Sequence, residues 1–196
     1  MTLTLCTDLS PADWIAGSEL PWNDLVTFGP AGFGAYARLR FLPDPVRSGQ
    51  NENDAEGQEW RDEQLPRLFE VLATATTTPG DCYFAVWDGF ARAVPRVTVA
   101  EAPKLEVPAR DYWLFRGPLA EAGNWGAAAG WPGHYDLDDE EPAFVWPADR
   151  AWCVARDVDP HWAGIGGDAA LIERLVADPR LDVVATEHGD APLPYR

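Results

Sequence analysis

The chain has 196 residues, of which 46% are apolar, so it is long enough to bury one substantial core. Its 15 basic and 32 acidic side chains give a formal net charge of −17. Such a surface repels phosphate groups and predicts that the protein binds neither nucleic acid nor anionic membranes. No apolar run reaches the roughly 18 residues of a membrane span, and the N-terminus lacks the basic segment of a secretory signal, which favours a cytoplasmic protein.

The sequence also argues against several kinds of catalytic or cofactor chemistry. Cys6, Cys82 and Cys153 are widely spaced, and two of them lie in apolar strand-like runs, which predicts buried, reduced thiols. The sequence has no C-x-x-C pair, so zinc ribbons and thioredoxin chemistry are excluded, and no serine lies in a G-x-S-x-G elbow. We therefore expect no cofactor and lean away from an enzyme.

The first quarter of the chain predicts a short helix, a turn and a strand. Ser10–Gly17 has a capping serine and an early proline, and Gly29–Gly34 has the composition of a plain turn. Residues Tyr36–Leu42 alternate between apolar and polar, which indicates a half-buried strand. Its arginines, Arg38 and Arg40, share one face, where they could hold a ligand carboxylate or, as is more common, the protein's own acids.

A polar loop is predicted over residues 43–60, and a helix follows at Arg61–Ala75 with an apolar stripe at helical spacing. Pro66 fits this helix only within its first turn. The nearly continuous apolar run Cys82–Trp87 predicts a strand that is covered on both faces. A weak strand signal follows at Val97–Val99.

The second half of the chain combines strong strand signals with one long irregular segment. Asp111–Arg116 predicts a strand, whereas residues 118–142 show no period and predict a loop. Short strands are expected at Phe144–Trp146 and Ala151–Ala155. A helix at Asp168–Ala177, capped by Asp168, and a last strand at Leu181–Ala185 complete the predicted elements.

Strands and helices do not alternate regularly along this chain. The pattern therefore predicts a single α+β domain over residues 1–196, with a mainly antiparallel twisted sheet and two or three helices packed on one face. The loops 43–60 and 118–142 would project from this domain.

One predicted turn carries side chains that could bind a metal ion or take part in catalysis. Asp157, Asp159 and His161 alternate, so an extended backbone would point all three the same way. Two carboxylates and an imidazole can hold a divalent cation, and a carboxylate can also orient a histidine as a base. The same Asp-x-Asp-Pro pattern is ordinary turn chemistry, which is the favoured interpretation.

Several stretches resemble a group of actinobacterial proteins of about 200 residues, to which we attach no activity. They are LVTFGPAGFGAYARLRFLPDP, CYFAVWDG, FRGPL, AWCVARDVDPHWAGIGG and LVADPRLDVV. More distantly, the order of aromatic strand, acidic turn, Gly-preceded helix and last strand is similar to that of SUKH-type immunity proteins. This resemblance implies an α+β protein that binds and neutralises a toxin.

Charge and aromatic content together favour recognition of a basic protein partner. Residues 44–63 carry seven acids and residues 134–142 carry five, a charge that would attract a basic surface. Candidate contact residues are Trp125, Trp131, His134, Tyr135 and Trp162. The alternatives are a small metal-assisted enzyme that uses Asp157, Asp159 and His161, or a sugar or small-molecule site lined by tryptophans. The sequence does not indicate an oligomeric state.

Overall fold

The computed structural model describes residues 3–55, 64–89, 102–122 and 142–196. Within these ranges nine strands form one open, twisted sheet in which all pairings are antiparallel. The strands are β1 (Thr4–Leu5), β2 (Ala35–Arg40), β3 (Cys82–Trp87), β4 (Leu105–Val107), β5 (Arg110–Gly117), β6 (Phe144–Pro147), β7 (Cys153–Ala155), β8 (Trp162–Gly167) and β9 (Val183–Thr186). Their order is β1-β5-β3-β6-β7-β8-β2-β9, and β4 also pairs with β5. The predicted α+β class is confirmed.

Helices cover both faces of this sheet. They are α1 (Asp13–Ala16), α2 (Trp22–Phe28), α3 (Gln64–Ala73) and α4 (Ala169–Ala177), with short 3₁₀ turns at Ser10–Ala12, Glu52–Asp54 and Leu119–Glu121. The buried residues of α3 and α4 share one core, and those of α1 and α2 belong to a second core. The two longer helices thus lie on one face, as expected, and the short helices near the N-terminus close the other.

The local sequence explains how α3 and α4 begin and which sides they bury. Asp168 caps α4 by accepting a hydrogen bond from the Leu171 backbone N–H at 2.6 Å. Pro66 lies in α3 as the third of its described residues, and the preceding residues 61–63 lie outside the described ranges. The indole of Trp152 donates to the Leu72 carbonyl at 3.0 Å, which joins α3 to the sheet.

Strand β8 was not predicted from the sequence, because three of its six residues are glycine, which is depleted in strands. These glycines are needed because other parts of the chain approach β8 closely. A Cβ on Gly164 would lie 2.3 Å from the Thr27 carbonyl oxygen, and one on Gly166 would lie 2.4 Å from the Phe33 ring. Glycine here marks close contact between α2 and the sheet rather than a loop.

Other elements also differ from the predicted set. Helix α2 and the short strands β1 and β4 were not predicted, since each is too short to show a clear period. The proposed strand Val97–Val99 lies outside the described residues, as do residues 56–60 of the polar loop and 123–141 of the long loop. Within the described part of the polar loop, Asn51 caps a 3₁₀ turn at Glu52–Asp54.

The close approach of α2 to β8 is testable by substitution at Gly164. We expect Gly164→Ala to lower the free energy of unfolding by about 2 kcal/mol, since the new methyl group meets backbone atoms that cannot rotate away. Gly80→Ala is the matched control, because no atom lies within 4 Å of its new Cβ. Urea denaturation that found the two variants equally stable would contradict the close contact.

Candidate functional site

Charged and aromatic side chains from distant parts of the chain gather at one end of the sheet. Antiparallel pairing sets Arg40 opposite Trp162 and Trp87 opposite Tyr112, so β2 and β3 end where β8 and β5 begin. Strand β7 ends at this same end, because Ala155 pairs with Gly164. We call this the polar end of the sheet. It contains two clusters, one centred on Asp44 and one on Arg110.

The first cluster holds the Asp44 carboxylate among three partners. Arg38 donates to both of its oxygens, at 2.7 and 3.1 Å, while Arg40 lies at 3.4 Å and the His161 Nε2 atom at 3.1 Å. Burial alone would raise the pKa of Asp44, but these hydrogen bonds and the arginine charges lower it to about 2. Asp44 is therefore a stable anion at neutral pH and the natural counter-charge for Arg38, which is only 8% exposed.

His161 connects this cluster to the C-terminal tail, residues 187–196. Its side chain is buried, with the residue 2% exposed, and its ring lies 4.8 Å from that of Tyr195. The Tyr195 hydroxyl donates to the Pro43 carbonyl at 2.7 Å, so the tail crosses the loop that carries Asp44. Burial, opposed by the bond to Asp44, lowers the pKa of His161, so the imidazole is neutral at pH 7 and suited to hold Asp44 in place.

The expectation that Arg38 and Arg40 meet the protein's own acids is confirmed. Arg40 donates from two nitrogens to Asp182, while Arg38 is held by Asp44. Beside them, the Gln64 side chain bridges two strands: its amide donates to the Arg40 carbonyl at 3.0 Å and accepts from the Asp182 backbone N–H. Arg40 therefore joins β2 to the segment before β9, and Gln64 joins both to α3.

The second cluster is a stack of two indole rings and a guanidinium, which we call the Trp22 stack (Trp87, Arg110 and Trp22). The Arg110 guanidinium carbon lies 4.5 Å from the Trp87 ring centre and 5.5 Å from that of Trp22. Asp157 accepts from Arg110 at 3.2 and 3.3 Å and neutralises its charge. The sequence gives no signal for this stack, because its members lie far apart in the chain.

Backbone strain and an unpaired hydroxyl lie beside the Trp22 stack. Ala109, which precedes Arg110 in the tight turn from β4 to β5, has a φ of 66°, a conformation that costs energy for a residue other than glycine. The hydroxyl of Tyr112 is buried and has no hydrogen-bond partner in the described part of the chain. Burial, and next the charge of Asp157, raise its pKa, so it remains protonated.

The structure does not bring Asp157, Asp159 and His161 together as one set of ligands. Asp157 binds Arg110, His161 contacts Asp44, and Asp159 is exposed. No group of three or more His, Cys, Asp or Glu side chains in the described ranges is arranged to hold a metal ion. The segment turns between β7 and β8, so its side chains do not alternate between two faces as they would in a strand. Asp157 and His161 instead contact different neighbours.

The other predicted contact residues differ in where they lie. Trp162 is 4% exposed and packs between the Phe28 ring and the Arg38 guanidinium, so it offers little surface to a partner. The remaining four residues, Trp125, Trp131, His134 and Tyr135, lie outside the described residues.

The cysteines have the features of structural thiols, as predicted. All three are free; Cys82 and Cys153 are buried, whereas Cys6 is half-buried. Burial raises the pKa of Cys6 to about 11 and that of Cys82 to about 12, and it also raises the pKa of Cys153. At neutral pH none of them supplies the thiolate that a nucleophile needs.

One groove of about 220 Å³ lies between α3 and α4, lined by Arg67, Glu70, Val71, Thr74, Arg174 and Asp178. Ligand pockets usually enclose roughly 300 Å³ or more. Arg67 is already ion-paired with Glu70 and Asp178 there. This groove therefore does not resemble a site for an organic ligand.

Comparisons of the chain with models of known families, with curated proteins and with solved structures find no significant match. Among the described residues, no helix combines the length and apolarity that crossing a membrane requires. Function must therefore be inferred from the geometry of the molecule itself.

The Asp44 cluster predicts a large loss of stability on removal of one charge. We expect Asp44→Asn to lower the free energy of unfolding by about 3 kcal/mol, because Arg38 would keep a buried charge without its counter-charge. Asp54→Asn is the matched control, since its ion pair with Arg47 is exposed and contributes less than about 0.5 kcal/mol. Similar losses in both variants would show that Asp44 does not anchor the cluster.

Burial of His161 predicts a pH dependence of stability. Because the pKa of His161 is lowered on folding, the unfolded chain binds a proton more readily than the folded chain. Stability should therefore fall as the pH drops below about 6.5, the ordinary histidine pKa, and fall further until the folded-state pKa is passed. In His161→Gln the decline in unfolding free energy between about pH 7 and pH 5 should be shallower, and an unchanged decline would contradict the prediction.

Proposed function

We propose that this chain is an acidic binding protein whose partner is a protein with a basic surface. The supporting observation is how charge is distributed in the described part of the chain. Most of its cations are used internally, within 4 Å of the protein's own carboxylates: Arg38, Arg40, Arg47, Arg67, Lys104, Arg110, Arg116 and Arg180. The excess of acids is thus left for the surface.

Carboxylates without an ion pair remain exposed in the described ranges. They include Asp13, Glu19, Glu106, Asp159, Glu173 and Glu187. They come from both ends of the chain and from its middle, so the negative potential extends over the surface. Such a field speeds encounter with a basic protein and repels acidic competitors.

The state of the reactive groups favours binding over catalysis. The thiols of Cys6 and Cys82 have raised pKa values, and His161 is buried against Asp44, so neither type of group is poised as a nucleophile or base. Neutralisation of a basic toxin, the role implied by the resemblance to SUKH-type immunity proteins, would be one form of such binding.

Salt-dependent capture tests the proposed function. The immobilised full chain is exposed to an extract of its source cells at about 50 mM salt, and a captured basic protein is purified. Its dissociation constant should rise steeply as the salt concentration approaches about 500 mM, because charge attraction is screened.

A charge-neutralised variant serves as the comparison. It combines Asp13→Asn, Glu19→Gln, Glu106→Gln, Glu173→Gln and Glu187→Gln, all at exposed positions, so its stability should remain close to that of the original chain. We expect weaker binding and a smaller salt dependence. Equal affinity of both proteins at low salt, or capture of no basic protein, would refute the proposal.

A further inference from the structure

In the Trp22 stack, one guanidinium contacts two indole rings. The guanidinium carbon lies 4.5 Å from the centre of the half-buried Trp87 ring and 5.5 Å from that of the exposed Trp22 ring. Asp157 holds Arg110 through a two-point contact, which fixes the plane of the guanidinium. The Trp22 ring therefore lies against a guanidinium that Asp157 holds in place.

The Trp22 ring is partly accessible to solvent. Trp22 is 40% exposed, although it is the first residue of α2 and precedes four buried residues of that helix. Next to Asp157 in the chain, Val158 is 45% exposed and is followed by the exposed Asp159. An exposed aromatic ring thus contacts Arg110, and an exposed apolar residue and an exposed acidic residue follow Asp157 in the chain.

We infer that the exposed ring of Trp22 is the docking point for an arginine side chain of the basic partner. The incoming guanidinium stacks on the exposed part of the Trp22 ring, and the exposed carboxylate of Asp159, two residues after Asp157, is the candidate counter-charge. This inference rests on the proposed function and names the surface and the side chain through which the partner binds.

Charge and shape both favour arginine at this position. The Arg110 charge is cancelled by Asp157, so it does not repel a second guanidinium, and the chain as a whole carries a net charge of −17. A planar guanidinium stacks on an indole face, whereas the compact ammonium of lysine is more strongly hydrated. Tryptophan and arginine are also the residue types most enriched among the dominant contacts of protein interfaces.

Titration calorimetry of the full chain with hexa-arginine and hexa-lysine peptides at low salt tests this inference. We expect tighter binding of hexa-arginine, and we expect Trp22→Ala to weaken that binding about fivefold. Trp22→Phe should restore part of the affinity, since phenylalanine keeps a smaller aromatic face. Asp159→Asn should weaken the binding of both peptides.

Two valines of equal exposure provide a matched pair. Val158, which follows Asp157 in the chain, is 45% exposed, and Val176 on α4 is 44% exposed. Val158→Ser should weaken hexa-arginine binding about twofold, whereas Val176→Ser should leave it unchanged. Thermal denaturation establishes that each variant is folded.

The outcomes separate the docking point from the general function. If the original chain binds hexa-arginine and basic proteins but Trp22→Ala and Trp22→Phe bind as tightly, the docking point is wrong while the acidic binding function stands. Equal affinity for hexa-arginine and hexa-lysine would also overturn the inference, because it would show attraction without stacking. Failure of the original chain to bind any basic protein in the salt-dependent capture would refute the proposed function itself.

Discussion

The ion pair between Arg38 and Asp44 is the contact on which the organisation of the polar end depends. Arg38 lies on β2, which is paired on both sides, and it is almost fully buried, so its charge requires a counter-charge close by. Asp44, in the loop after β2, supplies this counter-charge. The same loop contacts His161 through Asp44 and Tyr195 through the Pro43 carbonyl. One buried guanidinium thus connects a loop, a turn and the tail at this end of the sheet.

Much of the fold was predictable because its main strands and longer helices have clear local patterns of apolar and capping residues. The apolar run Cys82–Trp87 matches β3, and the capped stripe after Asp168 matches α4. The failures have physical causes. Gly164 and Gly166 lower local strand propensity, yet they are required where α2 and Phe33 touch the sheet, and this requirement comes from residues more than a hundred positions away. Only tertiary structure reveals such a constraint.

The candidate site was less predictable than the fold. The sequence correctly suggests that Arg38 and Arg40 meet internal acids, but it cannot identify Asp44 and Asp182 as the partners, since strand register decides this. The alternation of Asp157, Asp159 and His161 holds only for an extended backbone, whereas here the segment turns between β7 and β8. The Trp22 stack depends on β3, β5 and α2 meeting at one end of the sheet, and no short-range pattern encodes that meeting.

The Gln64 side chain has a consequence for how the molecule comes apart. Its amide takes the place of a backbone rung between Arg40 and Asp182, so the beginning of α3 is a structural member of the β2–β9 ladder. Separating β9 from the sheet would therefore also break the hydrogen bonds of Gln64, leaving several polar groups without partners. Strand β9 and helix α3 should therefore open together, and the amide hydrogens of both would exchange with solvent in the same opening event.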